Sequence, residues 1–278
     1  MSAEIPTQWL MEGPAWVQFA VQAELTEDHR GAELATLRAA MLQDEGIQAL
    51  VAELQTWPGP PLTSHKSAGH PLHKLAFLAE LGLTVRDPGI QPIADAILSQ
   101  VAVQGPFRVI MNIPVHFGGS GEDQLAWALC DAPLALYALA RFGLGEHPAV
   151  RKAADFLAGL ARENGWPCAV SPELGNFRGP GRKGDPCPFA NLIMLQALAQ
   201  LPGCQDHPAV QAGLEALLSA WAERQERHPY LFYMGTDFCK LKAPLVWYDI
   251  LHVVDVLTHF PQVRGDARLG EMLAVVRA

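Results

Sequence analysis

The chain has 278 residues, half of them apolar, and a formal net charge of −9. It can bury a large core but offers no basic field for nucleic acid, whose affinity comes mostly from neutralised phosphates. No apolar run approaches the roughly 20 residues that span a bilayer, and the opening Met1-Ser2-Ala3-Glu4 lacks the basic and then apolar regions of a signal peptide. A cytoplasmic protein without a membrane span is expected. Its five cysteines (Cys130, Cys168, Cys187, Cys204, Cys239), odd in number and scattered, fit free thiols or metal ligands better than a disulfide framework.

The first 60 residues read as N-terminal helices at 16–25, 32–42 and 47–54, with Pro14 where a proline is tolerated in a first helical turn. Trp57-Pro58-Gly59-Pro60-Pro61 stops the third. From near Gly69 the chain repeats itself. His147-Pro148-Ala149-Val150 recurs as His207-Pro208-Ala209-Val210, 60 residues on, and Asp87-Pro88-Gly89-Ile90 stands 60 residues earlier. Asp266-Ala267-Arg268-Leu269 is a weaker fourth copy. An apolar, helix-like run precedes each copy (75–83, 134–142, 192–201, 251–260), and another clearly follows two of them (153–160 and 214–221). The unit is helix, turn, helix, long loop. One such hairpin cannot bury its own apolar face, so a single all-α domain of stacked hairpins is expected, with four recognisable repeats over 69–278.

The loops that join the repeats, at about 103–121, 163–187 and 227–244, are long and unlike one another. Loops of this length are often functional. These carry Phe107, Trp166, Phe177, Tyr230, Phe232, Tyr233 and Phe238, aromatic residues that a merely solvated linker would not hold, and all lie at one end of the stack, where a cleft is expected. Arg178, Arg182, Lys183, Lys240 and Lys242 form a local basic excess, read either as a holder of diphosphate or carboxylate or as solvated loop charge. Candidate substrate contacts are Trp166, Phe189, Tyr248, Arg182 and Lys240. Gly118-Gly119-Ser120-Gly121 reads as a turn before a helix starting near Glu122, since it lacks the Lys-Ser/Thr of a phosphate loop.

Anchoring each repeat on its first helix aligns His70, Asp131, Ala190 and Asp249, and one turn further His73, Leu134, Ile193 and His252. The first and last repeats thus each place a titratable residue and a histidine three apart on one helical face. Asp131, Asp249 and His70 are the candidate catalytic residues; the plain alternative is carboxylates near helix starts and hydrogen-bonded core histidines. Asp185-Pro186-Cys187 adds a carboxylate and a thiol two apart, a pair able to share a cation such as zinc, and Cys130-Asp131 lies near the equivalent start one repeat earlier.

The stretch Phe177-Arg178-Gly179-Pro180-Gly181-Arg182-Lys183-Gly184-Asp185-Pro186-Cys187-Pro188-Phe189 resembles the segment of protein prenyltransferase β subunits in which Gly-Arg, Lys, Asp-x-Cys and an aromatic follow in that order. That resemblance implies a zinc held by Asp185 and Cys187 and completed by a histidine from a later repeat. Here Asp249 stands where that histidine is expected, with His252 one turn on. The whole chain more nearly resembles bacterial α/α-toroid proteins described as prenyltransferase-like or squalene-cyclase-like, through Trp9-Leu10-Met11-Glu12-Gly13-Pro14, the Ala/Leu-rich first helices and Trp247-Tyr248-Asp249. It implies a ring of five to six hairpins whose inner helices are 75–83, 134–142, 192–201 and 251–260, whose outer helices open at Pro88, Pro148, Pro208 and near Ala267, and whose central cavity takes a small molecule.

No Asp-x-Asp-Asp run is present, which argues against the proton-initiated cyclisation of squalene-type enzymes, and no Gly-x-Ser-x-Gly elbow is present either. Three functions stay open. One is a toroid enzyme acting on an apolar or isoprenoid-like molecule, with or without zinc. Another is a hydrolase or lyase of the α/α-barrel kind with Asp131 and Asp249 as acid and base. The third is a non-catalytic binding or scaffold module.

Overall fold

The structure, a computed structural model, describes residues 6–26, 31–64, 66–177, 179, 182–229, 231–232, 237–243 and 248–278. Arg178, Tyr230, Tyr233 and Trp247, singled out above, lie outside the described residues. The chain is mostly helical, with α1 (Thr7–Met11), α2 (Ala15–Glu24), α3 (Gly31–Leu42) and α4 (Glu45–Leu54) at its start. Four consecutive helix pairs follow: α5 (Pro71–Glu80) with α6 (Ile90–Ser99), α7 (Ala132–Leu139) with α8 (Pro148–Ala158), α9 (Pro188–Ala199) with α10 (Pro208–Ala222), and α11 (Ile250–Thr258) with α12 (Ala267–Arg277). No helix among the described residues is long and apolar enough to cross a membrane.

The first helices of the pairs are the buried ones. Every residue of α7 and all but the last of α9 are buried, as a helix that is apolar all round must be. By contrast α8 buries only Val150, Ala153, Ala154, Leu157 and Ala158 and turns its charges outward. Helix α5 packs on α7, α7 on α9 and α9 on α11, while α8 covers α7 and α9, and α12 covers α10 and α11. Three of the buried helices begin earlier than their apolar runs, because Pro71, Pro133 and Pro188 occupy first-turn positions where the missing N–H is no loss.

The histidine-proline repeat is a capping device. The Nδ1 atoms of His147 and His207 accept the amides of Ala149 (3.2 Å) and Ala209 (3.1 Å), and Pro148 and Pro208 open α8 and α10 as expected. The first copy behaves differently. Asp87 spends its carboxylate on the Thr84 amide and Arg38, so Gly89, at φ 84°, forms the N-cap and α6 opens at Ile90 instead of Pro88. Only glycine reaches that left-handed conformation without strain.

The loops depart most from expectation. The segment expected as a loop and then a helix near Glu122 holds an antiparallel hairpin, β1 (Val109–Asn112) with β2 (Asp123–Ala126), in the register Val109 opposite Ala126. The chain is therefore not purely α. Leu62 joins the edge of β1 through the Ile110 carbonyl and the Asn112 amide. Beyond β2, the Leu129 amide donates to Ala169 and the Ser171 amide to Trp127, which ties the first long loop to the second.

Trp166 and Asn191 fasten that second loop to the helices. Asn191, fully buried, accepts the Trp166 amide at Oδ1 (2.9 Å) and donates from Nδ2 to the carbonyls of Trp166 (3.0 Å) and Cys187 (2.8 Å). The Trp166 indole donates to Leu157 of α8 (2.8 Å) and lies so close to Gly213 of α10 that a Cβ there would overlap its ring. Trp166, expected to meet a ligand, is thus a structural anchor. Replacing Asn191 by Leu orphans a buried amide donor, and urea unfolding is expected to show a loss of about 2–3 kcal/mol.

Candidate functional site

The four buried first helices run in the same direction. At their starts, Phe189 of α9 stacks on Tyr248 before α11 with ring centroids 4.8 Å apart, Lys66 before α5 lies over the same Tyr248 ring at 5.2 Å, and the Asp131 charge at the start of α7 acts on the Cys187 thiol at the start of α9. At their ends, Arg141, in a wide π turn (Ala140–Leu144) that closes α7, donates to the carbonyls of Ala79 (3.3 Å) and Glu80 (3.5 Å) at the end of α5 and to Gln200 Oε1 (3.5 Å) beyond α9. The loop-bearing end is the end where the helices start.

At that end, equivalent positions play different roles. His70 caps α5: Nδ1 accepts the Leu72 amide (3.1 Å), so Nε2 carries the proton and donates to the Pro60 carbonyl (3.0 Å). Burial holds its pKa below the usual histidine value. Asp249 caps α11, with Oδ1 accepting the His252 amide (3.0 Å) and Oδ2 the Lys242 amide (2.7 Å), so both oxygens are engaged. The Cys187 thiol lies against the amides of Phe189 and Ala190, and burial raises its pKa to about 11. His73 is buried on α5.

Asp131 breaks the pattern. It occupies the N-cap position of α7 and is 3% exposed, yet its side chain accepts no helix amide. Oδ2 accepts the Cys130 thiol (3.1 Å), and Oδ1 is buried without a hydrogen-bond partner among the described residues. Desolvation pushes its pKa up to about 7. A carboxylic acid with a pKa near neutrality thus lies at the start of α7, near the thiols of Cys130, Cys168 and Cys187. All five cysteines are free thiols. One helical turn along α11, both ring nitrogens of His252 are buried without a partner among the described residues, and burial lowers its pKa, so the ring is neutral at pH 7.

The residues expected to hold zinc do not gather. Asp185 turns to Arg227 (3.4 Å) and lines, with Arg182 and Glu163, a surface cavity of about 400 Å³ between the second long loop and α10. Cys187 points inward, and Asp249 is committed to its cap. Among the described residues no three His, Cys, Asp or Glu side chains are placed to share a metal ion. Of the candidate substrate contacts, Phe189 and Tyr248 meet at the helix starts, Trp166 is structural, Arg182 edges the outer cavity, and Lys240 is exposed in the third loop.

A second polar group was not foreseen. Tyr137, Gln196 and Asp255 occupy equivalent places on α7, α9 and α11, and Glu80, Arg141 and Gln200 occupy the next equivalent level. The signal lay in the same repeat alignment, continued two and three turns beyond the helix starts. Glu80 has its pKa raised to about 7, first by burial and then by the charge of Asp255, against the opposing charge of Arg141.

No family model matches the chain, and no curated protein matches it. A solved structure that it resembles is the crystal structure of a protein from Actinoplanes, at 15% identity over 95% of this chain and 70% of that one, with a TM-score of 0.43.

Asp131 generates a stability test. A carboxyl whose folded pKa lies above its unfolded value contributes stability at low pH that is lost as pH rises from about 4 to about 7. Asp131→Asn removes that loss. The variant is expected to be more stable than the parent by on the order of 2–4 kcal/mol at pH 8, with the difference shrinking toward pH 4, as thermal unfolding at several pH values would show.

Proposed function

We propose that the chain is an enzyme of the α/α-toroid class, related in architecture to prenyltransferase-like and squalene-cyclase-like proteins, that acts on an apolar or isoprenoid-like small molecule held between α5, α7, α9 and α11. Four buried helices packed in sequence, each with a covering partner, support the toroid reading. The observation that carries the activity is the buried Asp131, which accepts no helix amide and whose Oδ1 meets no hydrogen-bond partner among the described residues. Asp131 is the general acid in this reading, delivering its Oδ1 proton to the substrate, with Cys130 orienting the carboxyl. His252, neutral and with both nitrogens unengaged, is the group able to take a proton back. Phe189 and Tyr248 form an apolar wall that keeps water from the acid.

The pairing of Asp131 with Asp249 as acid and base is less well supported, since Asp249 gives both oxygens to backbone amides. No step runs through zinc, because the described donors do not converge.

Incubation with farnesol, farnesyl diphosphate and squalene, followed by mass spectrometry of extracted products, tests the proposal. Turnover of one of them is expected, falling as pH rises through about 7, because the acid must be protonated to act. Asp131→Asn should lose about 10²-fold or more in rate while remaining folded. Full activity in that variant, or no turnover of any of these substrates, would overturn the assignment.

A further inference from the structure

The second long loop bends at residues 162–165 into a tight turn closed by its own backbone, with the Arg162 amide donating to the Gly165 carbonyl (3.0 Å) and the Gly165 amide to the Arg162 carbonyl (3.1 Å). The turn is pinned on two sides. The Arg162 guanidinium donates to the Lys183 carbonyl (3.0 Å) and the Asn164 amide to the Gly184 carbonyl (2.9 Å). Gly165, at φ 104°, approaches Ala216 of α10 so closely that a Cβ there would overlap it, and both its conformation and that contact require glycine. Glu163, between the two pinned residues, and Arg182, next to Lys183, are thereby brought to one place.

Both line the surface cavity of about 400 Å³ described above, a volume within the range of small-molecule sites. Its apolar lining comes from Ala212, Ala216 and Ala220, one residue per turn along α10, and from Pro186 and Pro188. The charges of the lining decide what it can take. Arg227 reaches both Asp185 (3.4 Å) and Glu223 (2.6 Å), and Arg268 of α12 holds Glu215 (2.8 Å). Glu163 and Arg182, both exposed, make no ion pair and no side-chain hydrogen bond among the described residues, although the turn sets them side by side. One unpaired charge of each sign is left.

We propose that this cavity binds a short zwitterionic peptide, of dipeptide size, whose ammonium group meets Glu163, whose carboxylate meets Arg182 and whose apolar side chain lies on the alanine face of α10. The planar guanidinium matches a carboxylate with two parallel hydrogen bonds, and the Glu163 carboxylate accepts the ammonium N–H groups. A simple anion is the poorer occupant, because it would enter a lining that carries four carboxylates, Glu163, Asp185, Glu215 and Glu223. A simple cation would leave Arg182 unmet. The cavity shares no residue with the Asp131 site and stands whether or not that residue is an acid catalyst.

The probe is alanyl-leucine, titrated calorimetrically at pH 7 beside N-acetyl-alanyl-leucine, which keeps only the carboxylate, alanyl-leucinamide, which keeps only the ammonium, and the N-acetyl amide, which has neither. Each loss of a charge should weaken binding by about tenfold. Glu163→Gln should weaken alanyl-leucine by about tenfold and leave N-acetyl-alanyl-leucine unchanged, since that ligand has no ammonium to lose; Arg182→Gln should do the same to alanyl-leucine and leave alanyl-leucinamide unchanged. Both positions are exposed, and the bonds that pin the turn come from Arg162 and Asn164, so the variants keep the fold. Equal binding of the N-acetyl amide, the parent affinity for alanyl-leucine in either variant, or no binding of alanyl-leucine at millimolar concentration would overturn the proposal.

Discussion

The structure depends on how buried helices begin. Helices α5, α7, α9 and α11 start inside the protein, where water cannot reach their first amides, and an unsatisfied buried N–H is costly. His70 and Asp249 supply acceptors for two of them, and the Cys187 thiol lies against the first amides of a third. The loops take part as well, since Asn191 binds the backbone at Trp166 and Cys187, and through Trp166 it reaches α8 and α10. Long segments that look like free connections are thereby stitched to the core, and the starts of the buried helices are held close together.

Against that constraint Asp131 is the exception that needs a reason. A carboxylate at a helix start gains about 0.3–1 kcal/mol from the dipole, up to about 2 in buried geometry. Desolvating it costs several kcal/mol. Desolvation wins, as the upward shift of its pKa shows. Asp249 meets the same dipole but accepts two backbone amides, and so remains an ordinary cap. Two carboxylates at equivalent positions differ because one accepts two backbone amides, whereas the other accepts only the Cys130 thiol and has an oxygen buried without a donor among the described residues.

The sequence showed the helix pairs because a 60-residue period and proline at helix starts are local signals that survive any tertiary context. It also pointed to Asp131, since equivalence under the repeat marks a shared position. Position does not reveal partners, however. His70 and Asp249 stood in the same column and turned out to be caps, because whether a side chain folds back on its own helix depends on one or two torsions that no pattern records. The aromatic loop residues misled for a related reason: Trp166 and Phe238 are buried because the loops pack as core, with Phe238 against Phe232 and Trp221. The hairpin was missed because its four-residue strands, Val109–Asn112 and Asp123–Ala126, are too short for an alternating pattern to stand out.

Local choices agree with the fold almost everywhere: prolines open helices, histidines and aspartates cap them, and Gly213 makes room for Trp166. The disagreements include Asp131, His252 and Gln196 on the buried helices, and Trp57 and Trp127 outside them, all of which leave buried polar groups without partners among the described residues. Proteins that break their own rules tend to do so where function requires it. The two polar levels stand ten residues apart along a helix, from Asp131 to Arg141 on α7, which is about 15 Å. A ligand that met both would have to be elongated and apolar through its middle, where Leu134 and Ile193 lie. Two smaller ligands would satisfy the same groups separately, and the independence of the sites under mutation is what separates these cases.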